Sequence, residues 1–324
     1  MSVAVATLTM ASIWITGAHG FIGRHLARAQ AQQGHTVIGL GHGAWPESEA
    51  AGCGVARWLN GDISASNLHA LRAAHGLPET VFHLAGGSSV GAAVANPRED
   101  FFRTVATTVE LLEWLRQEAP QTRLVAVSSA AVYGAGHEGP IAEAAPLRPY
   151  SPYGHHKLMM ESLCRSYGAT YGLRSVVARM FSVYGAGLRK QLLWDLCSQL
   201  DTGARHIELG GSGQELRDWT DVRDVVRALA LVAASADAGV PAINIGTRTA
   251  TSVKVVAQTV MQAWSGDARP PTLSFSGRSR PGDPFSLQAD SALLVTLGFE
   301  WSVPVATGLA DYVRWFKGRQ RPGP

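Results

Sequence analysis

Short runs of apolar residues alternate with longer amphipathic stretches over the first half of the chain. Five of these runs predict strands, at residues 11–16, 36–40, 55–59, 80–84 and 124–127. Apolar positions spaced three to four residues apart predict helices between them, notably over residues 21–33 and 97–118. In the second helix, Val105, Val109 and Leu112 share one face with Leu115. Continuous apolar strands separated by helices indicate a doubly wound α/β fold, in which helices cover both faces of a parallel sheet.

The alternation of apolar runs and amphipathic stretches becomes less regular after about residue 184. Clusters of glycine and proline, such as those at 210–213 and 280–283, separate shorter elements. This change predicts a sheet-containing domain over residues 1–185 and a smaller lobe over residues 186–324. The boundary is approximate, because the chain is able to cross between the two lobes.

Composition narrows the classes of function. The 324 residues carry 16% charged and 46% hydrophobic side chains, which is typical of a globular protein. The net charge of +3 comes without a long basic run, so nucleic-acid binding is not expected. The three cysteines lie far apart, which indicates neither a disulfide framework nor a metal site and fits the cytoplasm. The apolar N-terminus lacks a charged n-region and is too short to span a membrane.

The first strand ends in a glycine-rich turn. Gly17, Gly20 and Gly23 follow a GxxGxxG spacing between that strand and the next helix. Glycines permit a tight turn and let backbone amides approach a pyrophosphate, while the helix that begins at Phe21 and Ile22 offers its N–H groups to phosphate oxygens. In this context the turn predicts a dinucleotide site.

Candidate chemistry follows the later strands. Leu84, Ala85 and Gly86 end the fourth strand with small residues that leave room for a ligand. Ser129 follows the fifth strand, where its hydroxyl is able to hydrogen-bond a reacting sugar oxygen.

Tyr153 and Lys157 are spaced to share one helix face. An ammonium group beside a phenol stabilises phenolate and lowers a pKa that starts near ~10. Such a pair serves as a proton shuttle near neutral pH. His155 and His156, which lie between them, are expected to face away from the chemistry.

These ordered motifs resemble the extended short-chain dehydrogenases/reductases, in particular the NAD(P)-dependent nucleotide-sugar epimerase/dehydratase family. The resemblance rests on the glycine turn, on Asp62-Ile63, on residues 83–86, 128–129 and 179–185, on Tyr153 and Lys157, and on residues 211–218 and 280–283. It implies a Rossmann-like dinucleotide-binding domain over residues 1–185 and a nucleotide-sugar-binding lobe over 186–324.

The resemblance also implies roles for single residues. Ser129, Tyr153 and Lys157 would be catalytic, and Lys157 would also bind the nicotinamide ribose. Asp62 and Ile63 would border the adenine. The implied substrate-binding residues are Ser88, Ser129, Ser182, Arg217, Arg280 and Asp283, with the two arginines on the diphosphate of the nucleotide.

Departures from the family pattern limit which reactions and cofactors are expected. Ala131 replaces the acid that sugar dehydratases carry two residues after the catalytic serine, so a 4,6-dehydratase is not expected. Gly41 replaces the acid that NAD-using members carry at the end of the second strand. Because His42 and Arg24 are able to bind a 2′-phosphate, this favours NADP over NAD.

The sequence therefore predicts NAD(P)-dependent oxidoreduction of a nucleotide-diphosphate hexose in carbohydrate biosynthesis, most simply reduction of a 4-keto-6-deoxy sugar at C4. The alternative is a 4-epimerase that retains its NAD, and a third interpretation is a non-catalytic nucleotide-binding protein. Family resemblance also predicts a homodimer through helices at 97–118 and 153–171. The nucleotide, the sugar and the stereochemistry of the product are left open.

Overall fold

The computed structural model describes residues 10–278 and 284–319. The chain divides into two units. The first contains the chain up to Ser129 together with Ser151–Ala178 and Val226–Ile243, and the second contains Ala130–Tyr150, Arg179–Val225 and the described chain from Asn244 onward. The sequence predicts an approximate boundary near residue 185, with a chain able to cross between the lobes, and the segments of the two units are interleaved.

The first unit is built on a seven-stranded sheet. Its strands are β1 (Ser12–Thr16), β2 (Thr36–Gly41), β3 (Val55–Asn60), β4 (Thr80–His83), β5 (Arg123–Ser129), β7 (Ser175–Met180) and β11 (Ala242–Ile245), with the short β6 (Pro140–Ile141) lying elsewhere. The spatial order is β11-β7-β5-β4-β1-β2-β3, and β1 pairs in parallel with both β2 and β4. This confirms the doubly wound sheet. The strand order reverses next to β1, where sheets of this kind bind ligands at the carboxyl ends of their strands.

Helices connect the strands of the first unit. They are α1 (Phe21–Gln32), α2 (Glu47–Gly52), α3 (Ala65–His75), α4 (Val90–Ala95), α5 (Pro97–Phe101), α6 (Thr107–Glu118), α7 (Pro152–Tyr171) and α9 (Val222–Val232). The core between sheet and helices includes Trp14 and Trp114, whose stacked rings lie 5.4 Å apart between centroids. Burial of such apolar surface is the main favourable term in folding.

The long helix predicted over residues 97–118 is interrupted by one π-helical turn, Phe102–Ala106. Beyond this turn Leu112 and Leu115 are buried as expected, but Val109 is 36% exposed. Val105, inside the turn, is buried as well. The apolar face predicted for this helix is therefore buried at Val105, Leu112 and Leu115 and partly exposed at Val109.

The second unit contains smaller sheets. Its further elements are β8 (Ser182–Tyr184), α8 (Gln191–Asp201), β9 (His206–Leu209), β10 (Leu216–Asp221), β12 (Ala250–Ser252), α10 (Val253–Ser265), β13 (Thr272–Phe275), β14 (Ser286–Ala289), α11 (Ala292–Thr296) and α12 (Val305–Gly318). One sheet has the order β12-β10-β14-β6, with β8 pairing to β10, and β13 pairs with β9. The buried carboxylate of Asp218 accepts hydrogen bonds from the backbone of Thr247, Arg248 and Ala289, which ties β10 to β14.

Candidate active site

The turn between β1 and α1 packs tightly against the end of β4. Gly17 has a φ of +74°, and a Cβ at this residue would lie 2.9 Å from the backbone nitrogen of Ala85. A Cβ at Gly23 would overlap the carbonyl oxygen of Gly17. These positions therefore require glycine, as the motif predicts.

The same turn leads directly into the N-terminus of α1. Gly20 is the N-cap residue, and within the described chain no side chain caps this helix. The first-turn N–H groups and the positive end of the helix dipole are suited to an anion such as a pyrophosphate. This backbone cradle fits the dinucleotide that the motif predicts.

The N-terminus of α7 fixes the position of Tyr153. Ser151 caps the helix by accepting a hydrogen bond of 3.1 Å from the backbone nitrogen of Gly154, and Pro152 occupies the first helical position. Proline at that position is already in a helical conformation, so Tyr153 lies in a well-defined first turn.

The structure brings the three expected catalytic side chains together. Ser129, the last residue of β5, is hydrogen-bonded to Tyr153. The ammonium of Lys157 donates to the carbonyl oxygen of Val127 at 2.9 Å and lies 6.0 Å from the centroid of the Tyr153 ring. A hydroxyl, a phenol and an ammonium thus meet at the carboxyl edge of the sheet, which is an arrangement suited to moving a proton.

The electrostatics of this group differ from the expected ones. Burial raises the pKa of Tyr153, the charge of Asp100 raises it further, and the hydrogen bond from Ser129 opposes this rise. Burial lowers the pKa of Lys157 to about 8. The pKa of Tyr153 is thus shifted opposite to the direction expected from Lys157, because burial of the phenol has the largest effect. Stabilisation of a phenolate by Lys157 stays a prediction.

A buried carboxylate supports Lys157 from one helical turn further along. Glu161 is fully buried and accepts hydrogen bonds from Ser128 at 2.6 Å and from Arg165 at 2.8 Å. These bonds hold α7 against β5. The sequence analysis missed Glu161, although its spacing of four residues from Lys157 was a visible signal.

The turn after β4 lies directly beside Lys157. Gly86 has a φ of +141°, and a Cβ there would lie 3.3 Å from the Lys157 nitrogen. Gly87 donates its backbone N–H to the Thr104 hydroxyl at 2.8 Å. A lysine head group, a backbone turn and a hydroxyl are therefore held within one small region.

His83 braces the end of β4 from inside the sheet. Its ring nitrogens contact the hydroxyls of Thr16 and Thr108 at 2.7 and 3.0 Å. Burial, together with the charge of Lys157, lowers the pKa of His83 to about 3, so this ring stays neutral. Its role is to hold the carboxyl ends of β1 and β4 in place.

The two histidines of the YxxxK segment differ in burial. His155 is exposed as expected, but His156 is buried and pairs with Asp100 at 2.6 Å between Nδ1 and Oδ2. His156 is thus held against α5, and the expectation that neither histidine takes part in the chemistry stays a prediction. The two partners come from different helices, and no spacing in the sequence links them.

The adenosine end of the predicted site is defined by the loop after β2. Gly41, the last residue of β2, has a φ of +152°, which favours glycine. The strand therefore ends without a side chain. His42 pairs with the carboxylate of Asp62 at 3.0 Å. The Arg24 guanidinium lies 4.7 Å from the Trp45 ring centroid and donates to the carbonyl of His19. Both side chains expected to bind a 2′-phosphate therefore contact other groups of the protein.

The remaining candidate residues that the structure describes belong to both units. Ser88 is exposed, two residues after Gly86. In the second unit, Ser182 begins β8, and Arg217 donates to the carbonyl oxygens of Leu216 and Phe285 at 2.8 and 3.3 Å. Arg280 and Asp283 lie outside the described residues.

Other classes of site find no support among the residues that the structure describes. No group of His, Cys, Asp and Glu side chains in residues 10–278 and 284–319 is arranged to hold a metal ion. No helix in these ranges is both long and apolar enough to span a bilayer. The three cysteines, Cys53, Cys164 and Cys197, are all reduced and buried.

Comparison with known proteins identifies the family. Residues 13–246 match the NAD dependent epimerase/dehydratase family. A UDP-glucose 4-epimerase of Azospirillum brasilense is 32% identical over 296 residues, with 86% of this chain and 83% of the relative covered. This chain is therefore an enzyme of the NAD-dependent epimerase/dehydratase family, within the extended short-chain dehydrogenases/reductases.

Solved structures agree with this assignment. MoeE5 in complex with UDP-glucuronic acid and NAD is 34% identical, with a TM-score of 0.82 and coverage of 94% of this chain and 99% of that chain. The UDP-glucose 4-epimerase of Thermus thermophilus in complex with NAD is 28% identical, with a TM-score of 0.84 and coverage of 95% and 99%. The Rossmann-like fold is confirmed by both.

The close packing of the glycine turn makes a direct prediction. Gly23→Ala places a methyl group against the Gly17 carbonyl, so the turn has to shift, and we expect a loss of about 1–3 kcal/mol in stability together with weaker NAD binding. Thermal unfolding and calorimetric titration with NAD measure these effects. Gly52→Ala is the matched control, because a Cβ there has nothing within 4 Å. Unchanged NAD affinity in Gly23→Ala contradicts the assignment of the cradle.

Proposed function

We propose that this protein is an NAD-dependent 4-epimerase of a UDP-hexose. The proposal rests on the hydrogen bond between Ser129 and Tyr153 beside the ammonium group of Lys157. It is supported by the relatives, which are described as UDP-glucose 4-epimerases, and by similar structures with bound UDP-sugars and NAD.

These relatives favour the epimerase over the 4-ketoreductase that the sequence analysis places first. The reductase rests on single departures from the family pattern such as Gly41, whereas the relatives match over most of the chain. A 4,6-dehydratase is disfavoured because Ala131 offers no acid to protonate a leaving hydroxyl. The complete set of Ser129, Tyr153 and Lys157 argues against a non-catalytic nucleotide-binding protein.

The proposed chemistry begins with the C4 hydroxyl of the sugar. NAD held at the Gly17–Gly23 turn would supply the acceptor for the C4 hydrogen and, later, the donor that restores it on the opposite face of the sugar. Tyr153 takes the proton of the C4 hydroxyl as the carbonyl forms and gives it back when the alcohol is restored. Ser129 hydrogen-bonds the same oxygen, and Lys157 stabilises the phenolate and holds the nicotinamide ribose.

We propose NAD rather than NADP as the cofactor. Although Gly41 supplies no acid at the end of β2, the Asp62 carboxylate lies next to His42, where the sequence analysis places a 2′-phosphate contact. A negative charge in that place disfavours a second phosphate. The NAD present in the two similar structures supports the same choice.

The nucleotide-sugar contacts stay predictions. Ser88, Ser182, Arg217, Arg280 and Asp283 are the proposed substrate-binding residues, together with Ser129. Arg217 suits a diphosphate, since its guanidinium is already anchored to two backbone carbonyls and loses little freedom on binding.

We further propose a homodimer in the cytoplasm. Helices α5 to α7 carry several exposed apolar side chains, among them Phe101, Phe102 and Met159 at 38%, 51% and 45% exposure. Exposed apolar patches of this kind are typical of interaction surfaces. The three reduced cysteines fit a reducing compartment.

Replacement of the phenol tests the proposed reaction. In Tyr153→Phe the proton shuttle is removed while the ring is retained, and we expect epimerisation to fall by about 10²–10⁴-fold. The assay follows UDP-glucose and UDP-glucuronate by NMR without added cofactor, and the NAD released on denaturation is quantified. Tyr171→Phe, on the same helix but 53% exposed, is the control. Full turnover in Tyr153→Phe, or NADPH consumption with a 4-keto-6-deoxy sugar and no epimerisation, contradicts the proposal.

The dimer has its own test. Phe102→Glu introduces a charge into the proposed interface, and light scattering is expected to report a monomer instead of a dimer at equal concentration. Phe285→Glu is the control, because Phe285 is 60% exposed but belongs to the second unit. A monomeric parent protein, or a Phe102→Glu variant that stays dimeric, overturns the proposed interface.

A further inference from the structure

The hydrogen-bonded pair of Asp100 and His156 is buried beside the proposed catalytic group. Their side chains are only 5% and 11% exposed, and the distance between Oδ2 and Nδ1 is 2.6 Å. Asp100 belongs to α5, and His156 directly precedes Lys157 on α7. A buried carboxylate is costly to desolvate, so its contribution to stability alone is a weak reason for its presence.

Asp100 lies against the turn that follows β4, and His156 directly precedes Lys157 on α7. A Cβ added at Gly87 would overlap Oδ1 of Asp100, so the carboxylate occupies the space beside the turn that follows β4. On the preceding residue of that turn, a Cβ at Gly86 would face the Lys157 nitrogen at 3.3 Å. The carboxylate and the ammonium group therefore contact adjacent residues of one turn.

We propose that Asp100 and His156 are positioning residues of the active centre, which fix the Gly86–Gly87 turn beside Lys157 and place a buried negative charge next to the Tyr153–Lys157 pair. The inference rests on the proposed function of Tyr153 as the acid–base group. It assigns a role to two residues outside the expected catalytic set.

Asp100 is one of several titratable groups around Tyr153 and Lys157. Lys157 faces His83 from β4, the Val127 carbonyl from β5, and Tyr153 and Glu161 on its own helix. His83 is neutral, and Glu161 is already paired with Arg165. His156 is flanked by the ring of Phe101 in addition to Asp100.

The charge of Asp100 acts on both partners of the pair in the same direction. A nearby negative charge disfavours a phenolate and favours an ammonium group, so it raises the pKa of Tyr153 and the pKa of Lys157. Because these two groups titrate as an interacting pair, both limbs of a pH–rate profile carry this influence.

The test replaces each partner without a large change of shape. Asp100→Asn removes the charge, and we expect both limbs of the kcat/KM profile for epimerisation to move to lower pH by about half a unit to one unit. His156→Asn keeps a donor near Nδ1 and keeps the Asp100 carboxylate, so neither limb is expected to move to lower pH. Glu99→Gln, which removes an exposed charge on the neighbouring residue, is the control and leaves the profile unchanged.

A second readout does not depend on turnover. The phenol titration of Tyr153 is obtained by difference absorbance, with the Tyr153→Phe variant as the background, and Asp100→Asn is expected to lower the pKa of Tyr153. If epimerisation is absent altogether, this titration still decides the inference, so its failure is distinguishable from failure of the proposed function.

The contradicting results are equally definite. Unmoved limbs and an unmoved Tyr153 titration in Asp100→Asn overturn the proposal, as does an equal loss of activity in Asp100→Asn and His156→Asn without any shift, which indicates a purely structural pair. If Asp100→Asn does not fold, the double variant Asp100→Asn with His156→Gln retains an uncharged hydrogen-bonded pair and carries the same expectation.

Discussion

Burial of the Lys157 ammonium group is the constraint on which the proposed active centre depends. Only 3% of this residue is exposed, and a charged group in such a place needs compensating partners. The Val127 carbonyl accepts a hydrogen bond from it, and the charges of Asp100 and Glu161 favour its charged form. These contacts require β5, α5 and α7 to meet at one point. The same point is where Ser129 and Tyr153 hydrogen-bond, so the geometry that stabilises the ammonium group also assembles the proposed proton shuttle.

Parts of this account were predictable from the sequence because they depend on local chemistry. The GxxGxxG turn predicts close backbone packing, and Gly17 and Gly23 indeed leave no room for a Cβ. The continuous apolar runs predict a parallel sheet, and β1 to β5 occupy the expected places within one or two residues. The spacing of Tyr153 and Lys157 predicts a shared helix face. In each case, the signal comes from residues that are close together in the sequence.

Features that depend on contacts between distant segments were not predictable. The pairing of Asp100 with His156 joins residues 56 positions apart on two helices. The π-helical turn within the predicted helix has no simple sequence signal. The raised pKa of Tyr153 reflects desolvation, which a spacing rule does not include. The chain also crosses several times between the two units. The less regular sequence pattern after residue 184 marks only one of these crossings.

The central claim is that one tyrosine exchanges a proton with the C4 oxygen while the C4 hydrogen leaves and returns within a single active site. Isotope tracing tests it most directly. With the parent protein and a UDP-hexose labelled with deuterium at C4, the account predicts that the epimerised product keeps its deuterium at C4, with no added cofactor and no loss of label to water. Loss of the label to solvent, or its appearance in a pool of added dinucleotide, would contradict the account.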